Sequence, residues 1–257
     1  MHVSCALVAC NDNPKYLDFW PVVKKAWWDI VGIPCIMIYV ADTIPDNLKS
    51  DPAVIHFTPI KEWPTATQAQ VIRLLYPGLL SASGAVVLSD MDMIPLQKDF
   101  FTEGFSTFHE NQFVSLRGID EGEKQIYMCY VGATPQTWRD LFGIQSVNDI
   151  SRLLRAWSQE FPADGNHGGL GWCTDQRRLY DKIKEWQIQQ PTRVGLIPWT
   201  PTIPRLDRGN PNEWLNWNYL LEYKLKNKMF VDFHMPLYCH YNQIINKVAE
   251  YCIKPNN

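Results

Sequence analysis

Two aspartates one residue apart, Asp90 and Asp92, follow the apolar run Ala85-Val86-Val87-Leu88-Ser89. In extended chain, residues i and i+2 share a face, so both carboxylates can point at one spot. Paired hard oxygen donors suit Mg²⁺ or Mn²⁺, ions that also accept phosphate oxygens and water. With 17 aspartates in the chain, about one such pair is expected by chance, so the pair alone decides nothing. Its place decides more: it sits directly after a buried-type strand and before the apolar Met93-Ile94-Pro95-Leu96. A solvated turn, the plain alternative, fits that context poorly.

Four other groups could do chemistry. Asp175, in Gly171-Trp172-Cys173-Thr174-Asp175-Gln176, is placed to open a helix; it reads either as a first-turn acid or as a reactive carboxylate, with Asp164 in reserve. The loop Gly165–Gly171 before it lacks both standard phosphate-loop patterns and reads as mobile. His234 closes a strand-like run shortly before Pro236, and His240 follows; either could be an ordinary hydrogen-bonded histidine. Arg205 and Arg208 flank Asp207 and read as phosphate holders or as common loop cations. Trp172, Trp214 and Trp217 could stack on sugar rings, although most of the 11 tryptophans should be core.

The elements that must position these residues alternate. Val3–Ala9, Pro34–Val40, Val54–Phe57 and Ala85–Leu88 read as strands. Helices are expected from Pro14 to about Val31 and over Thr67–Leu80, the latter apolar at Val71, Leu74, Leu75 and Leu79. Such alternation predicts an α/β fold with a doubly wound, mostly parallel sheet, whose ligands lie at the carboxyl ends of the strands. Downstream, Gln112–Arg117, Gln125–Gly132 and Met229–His234 read as strands. Pro135–Phe142, Asp149–Phe161, a stretch from Thr174 or Asp175, and Tyr241–Tyr251 read as helices. Pro191–Asn218, rich in proline and tryptophan, reads as irregular. One domain over residues 1–257 is expected, with a Rossmann-like nucleotide-binding half (1–96) and a less regular acceptor-binding half (97–257).

Bulk properties narrow the partners. A net charge of −3 gives no general attraction to nucleic acid or anionic membrane. No apolar stretch is long enough to span a bilayer, and Val3–Ala9 reads as a strand and not a signal peptide, so a soluble, cytoplasmic protein is expected. The seven cysteines, an odd number without a C-x-x-C pair, read as free buried thiols in a reducing compartment.

The stretch Thr67-Gln68-Ala69-Gln70-Val71-Ile72-Arg73-Leu74-Leu75-Tyr76, followed by Val87-Leu88-Ser89-Asp90-Met91-Asp92-Met93-Ile94-Pro95-Leu96, resembles the metal-dependent GT-A glycosyltransferases. In these a helix carrying Gln and Arg precedes the D-x-D strand. The resemblance implies a sugar moved from a nucleotide-diphosphate donor, a UDP-sugar by preference, to a hydroxyl of a glycan, glycoprotein or small molecule, with Mn²⁺ or Mg²⁺. It places Ala9, Asn11 and Asp42 in the nucleoside pocket and Gln70 and Arg73 near the nucleotide. Asp90 and Asp92 would hold the ion together with a histidine near the C-terminus: His234 in Asp232-Phe233-His234, or His240 as second choice, with Asp232 orienting it. Asp175 would face the acceptor and, in an inverting hexosyl- or pentosyltransferase, take its proton; in retaining relatives a similar Asp-Gln serves the donor side.

Three rivals remain. A haloacid-dehalogenase-like phosphatase would use Asp90 as nucleophile, but Ile94-Pro95 departs from its motif and no downstream Asp-Asp pair occurs. A nucleotidyltransferase would need a Gly/Arg-rich loop where Cys10-Asn11-Asp12-Asn13-Pro14 stands. A non-catalytic carbohydrate-binding domain explains the tryptophans but not the strand–helix alternation.

Overall fold

Strand β1 (Val3–Asn11) is apolar on both faces, as a central strand covered on both sides must be. Ala6, Val8 and Cys10 point into one core and Cys5 and Leu7 into another. The structure, a computed structural model, describes residues 1–198 and 203–253. The other strands are β2 (Cys35–Val40), β3 (Val54–Phe57), β4 (Ala85–Leu88), β5 (Met93–Pro95), β6 (Phe113–Ser115), β7 (Val131–Ala133), β8 (Val194–Leu196), β9 (Arg205–Asp207) and β10 (Asp232–His234). Seven form one sheet in the order β3-β2-β1-β4-β7-β6-β8. Only β7 runs against its neighbours. The expected mixed α/β, mostly parallel sheet is therefore the fold, and it runs from the first part of the chain into the second. A second sheet, β5-β10-β9, stands beside it.

Local sequence explains where the elements depart from expectation. The helix expected over 14–31 is broken into Pro14–Leu17 and Trp20–Ala26, followed by a π-turn Trp27–Val31. Pro21 lacks the N–H that a continuous helix would need, so a new helix starts around it. Gly32, at φ 85°, ends this run in the left-handed conformation that glycine adopts without strain. The helix expected over 67–80 is Thr65–Leu75, and the chain tightens into a 3₁₀ turn at Tyr76–Leu79 because Pro77 cannot continue it. The run 125–132 is mostly not strand. Ile126, Met128, Cys129 and Tyr130 are buried, but the Ile126 N–H donates to the Gln176 carbonyl at 3.2 Å and ladder pairing begins only at Val131. The segment 191–218, expected to be irregular, contains β8, β9 and a short helix Pro211–Trp214; its residues 199–202 lie outside the described residues. Helices Lys98–Ser106 and Tyr219–Lys226 were not signalled by the sequence. No helix among the described residues is long and apolar enough to cross a membrane. None of the seven cysteines is in a disulfide, and Cys239 is exposed, not buried.

The helix Val147–Glu160 supports the site from behind by packing on Thr65–Leu75. It opens with a capping box: the Ser146 hydroxyl accepts from the Asp149 N–H, and the Asp149 carboxylate accepts from the Ser146 N–H at 2.9 Å. Bonds from Arg152 and Ser146 hold Asp149 down at a pKa of about 2. A depressed carboxylate stabilises the fold above its unfolded pKa of about 3.9 and loses that contribution as pH falls through the native value. Asp149→Asn should therefore be less stable than the parent at pH 7, with the difference in melting temperature vanishing as pH falls toward 2. An unchanged difference there would remove the carboxylate from this cap.

Candidate functional site

β1 and β4 are paired, with Leu7 opposite Leu88, and the Ser89 N–H donates to the Leu7 carbonyl at 3.0 Å. The chain leaving β4 is thus held against the end of β1, which brings Asp90-Met91-Asp92 beside Ala9-Cys10-Asn11. Between them opens a cavity of about 260 Å³ at the carboxyl ends of these strands. Ala9, Asn11, Gln70, Arg73, Asp90, Asp92 and His234 all line it. Asn11 is fixed in orientation: its amide donates to the Thr65 hydroxyl at 3.1 Å and accepts from the Asn13 N–H.

Gln70 and Arg73, three residues apart on the Thr65–Leu75 helix, share the face toward the cavity. The helix is moored by the buried Gln68, whose side chain accepts from the Ile60 N–H and donates to the Ile60 and Trp63 carbonyls. Arg73 is buried and forked between two acids. It donates to Asp175 Oδ2 from Nη2 at 2.7 Å and from Nε at 3.2 Å, and Nη1 donates to Asp90. Burial works against its charge, but the two carboxylates outweigh that and raise its pKa. Asp175 is 1% exposed. Burial pushes its carboxyl above the usual range, against the pull of Arg73.

The second acid, Asp92, meets a different set. The three-stranded sheet pairs β10 antiparallel to β5 and parallel to β9, with His234 opposite both Met93 and Asp207. Its register sets two cross-strand pairs on one face. The Asp232 carboxylate receives both Nε (3.1 Å) and Nη2 (2.9 Å) of Arg205, and His234 Nδ1 lies 3.2 Å from Asp207 Oδ2. The other imidazole nitrogen of His234, Nε2, stands 3.5 Å from Asp92 Oδ2. Arg208 Nη1 donates to that same oxygen at 2.6 Å. Burial alone would raise the Asp92 pKa; His234 and Arg208 reverse this and hold it low. Burial disfavours the charged His234 ring, but Asp92 and Asp207 outweigh it and raise its pKa.

Other expected residues lie elsewhere. Asp42 is exposed and does not line the cavity. Asp175 turns to Arg73; its neighbour Gln176 lines the cavity instead, with its Oε1 buried and without a hydrogen-bond partner among the described residues. Asp232 does not orient His234, because Arg205 takes its carboxylate; Asp207 stands there in its place. Arg205 is spent in that pair and is not among the residues that line this cavity. Asp164 ties its own loop, accepting from the Asn166 N–H. His240 is exposed. Trp172 lines the cavity beside His167 at 4.4 Å, whereas Trp214 is core and Trp217 packs on Tyr251. Tyr16 and Asn13 were missed as lining residues, whereas Gln176 belongs to the Asp-Gln pair that the resemblance placed on the donor side. Only the loop position of Asn13 after β1 could have pointed to it.

Among the described residues, no three His, Cys, Asp or Glu side chains are grouped closely enough to hold an ion as they stand. The donor set nevertheless fits a hard divalent ion. Two carboxylates and an imidazole nitrogen line one cavity, and Asp207 holds the far ring nitrogen, as metal-bound histidines require. Occupancy would need the guanidinium of Arg208 to yield its place on Asp92.

No protein-family model and no curated protein matches the sequence. Solved structures do match in fold. The glycosyltransferase GlyE of Streptococcus pneumoniae superposes with a TM-score of 0.50 at 10% identity, over 99% of this chain but 61% of its own. The galactosyltransferase LgtC, in complex with donor and acceptor sugar analogues, aligns at 12% identity over 96% of this chain and 95% of its own, with a TM-score of 0.47. At such identities the GlyE likeness establishes a shared architecture and no more.

Proposed function

We propose that this protein is a metal-dependent glycosyltransferase that takes its sugar from a nucleoside diphosphate donor, preferentially a UDP-sugar, and passes it to a hydroxyl acceptor. One observation carries the reading: Asp90, Asp92 and His234, contributed by two distant parts of the chain, line one cavity with the carboxyl end of β1. That placement is where an open α/β sheet receives a nucleotide. The shared architecture with a glycosyltransferase is consistent with it.

Asp90, Asp92 and His234 would hold Mn²⁺ or Mg²⁺. When bound, the ion offsets the charge of the departing diphosphate. Asn11 and Ala9 would meet the nucleoside at the end of β1, with the Asn11 amide already oriented by Thr65. The unpartnered Gln176 Oε1 offers an acceptor for a sugar hydroxyl, since a buried carbonyl left unpaired gains by receiving one. Trp172 supplies an apolar face for the sugar ring. Asp175 faces Arg73 and not the cavity, so the inverting role, in which it would take the acceptor's proton, finds no support in its contacts. We read it as a positioning residue that locks Arg73, and through it Asp90.

The phosphatase reading makes Asp90 a nucleophile, but Ile94-Pro95 departs from its motif; the Arg73 bond, to one Asp90 oxygen, bears on both readings alike. The carbohydrate-binding reading would need exposed tryptophans at a common surface. Instead Trp20, Trp27, Trp63, Trp138, Trp157, Trp186 and Trp214 are buried.

A panel of nucleotide sugars tests the proposal. With Mn²⁺ we expect slow release of free nucleotide from a UDP-sugar, abolished by EDTA and accelerated by an acceptor sugar. Absence of release from every donor, together with no calorimetric binding of UDP in Mn²⁺, would overturn it. Phosphate release from simple phosphomonoesters would instead favour Asp90 as a nucleophile.

A further inference from the structure

Arg208 stands at the end of β9, pinned by its backbone N–H, which donates to the His234 carbonyl at 2.9 Å. Its guanidinium reaches Asp92 Oδ2 at 2.6 Å, the same oxygen that faces His234 Nε2. The two partners differ in freedom. The Asp92 side chain is 9% exposed and hemmed in, whereas that of Arg208 is 34% exposed at the rim. The carboxylate is fixed and the guanidinium can leave.

Charge gives this a direction. As they stand, Asp90 and Asp92 are matched by Arg73 and Arg208. A divalent ion on the Asp92 carboxylate competes with Arg208 for an oxygen and is repelled by it at contact distance. The displaced guanidinium then carries an unmatched charge at the edge of the same cavity. A diphosphate would answer both: its oxygens complete the ion's shell and offer the planar fork a bidentate partner.

We propose that Arg208 is an exchangeable counter-ion. It holds Asp92 while the cavity is empty, opposes binding of the metal alone, and moves to the diphosphate when ion and nucleotide bind together. This rests on the glycosyltransferase reading, and it makes ion and nucleotide binding mutually dependent through one side chain. Arg73 cannot do the same, because Asp175 grips it from the buried side.

The test compares Arg208→Gln with the parent in two titrations that involve no turnover. Mn²⁺ alone, followed by electron paramagnetic resonance, should bind roughly fivefold tighter to the variant, the size of a released, partly exposed ion pair. UDP in saturating Mn²⁺, followed by calorimetry, should bind about tenfold weaker or worse, the size of a lost charge-assisted contact to phosphate. Arg208→Lys keeps the charge without the fork and should fall between the two. Shifts in the same direction, or no shift in either titration, would overturn the exchange while leaving the proposed function standing. A parent protein that binds neither Mn²⁺ nor UDP would overturn both.

Discussion

Asp92→Ala is expected to lower metal-dependent nucleotide release on the order of a thousandfold, because several kcal/mol of charge stabilisation at the leaving group would disappear. The fold should survive. Asp92 borders the cavity, and the two groups it would release, Arg208 and His234, are 34% and 22% exposed and can take up water. A melting temperature within a few degrees of the parent, with the Mn²⁺ signal lost, is the expected pairing of results. Turnover within tenfold of the parent would remove the metal-site reading altogether. Asp90→Ala gives a useful contrast. It should also impair release, but it leaves Arg73 bonded to Asp175, so its structural consequences should be slight.

Arg73→Ala is the change with the largest expected effect on stability. It strands the Asp175 carboxylate in a place that is 1% exposed, and breaking a buried pair from one side typically costs about 3–5 kcal/mol. Asp90, with a side chain 31% exposed, can rehydrate and should contribute little to the loss. Urea denaturation measures the difference. Arg73→Ala combined with Asp175→Asn should recover much of it, because no buried charge then remains uncompensated. The pH dependence has a definite sign. A carboxyl whose native pKa is raised is least costly when protonated. The Arg73→Ala deficit should therefore be smallest below the ordinary carboxylate value of about 3.9 and fully present once pH exceeds the raised native value. A deficit that does not change with pH would mean that removing Arg73 leaves the proton affinity of Asp175 unchanged.

The parts of this structure that the sequence made legible share a physical property. β1 to β4 are near-continuous apolar runs because both faces of the sheet are covered, and their ends at Asn11, Val40, Phe57 and Leu88 lie within two residues of expectation. Asp90 and Asp92 were legible for the same reason, since a buried strand fixes where its end must be. What escaped were the three-residue strands β5 and β9, too short for a period-two pattern to register, and with them the pairing partners of β10, which itself falls inside the strand expected over 229–234; that pairing brings His234 to Asp92 and Asp207. The confusion between Asp232 and Asp207 follows from this. Along the chain Asp232 is two residues from His234, but β9 supplies the closer carboxylate across the sheet. The misplaced strand over 125–132 has another cause. The near-continuous burial there comes from a loop held against the helix of Gln176, and side-chain pattern alone does not separate a buried loop from a buried strand.

The small sheet also sets an order of events. β5 pairs with β10 across about 140 residues of intervening chain, Met93 meeting His234. Contacts so far apart in sequence are among the last to be rewarded, because the loop between them must first be closed. On a ribosome, β1 to β4 can pair while Asp92 still lacks both His234 and Arg208. A nascent chain thus carries its carboxylates for most of its synthesis without the imidazole that would complete the site. At the proposed site, ion capture would come only when β10 has emerged and docked, and the metal would then report finished folding instead of taking part in its start.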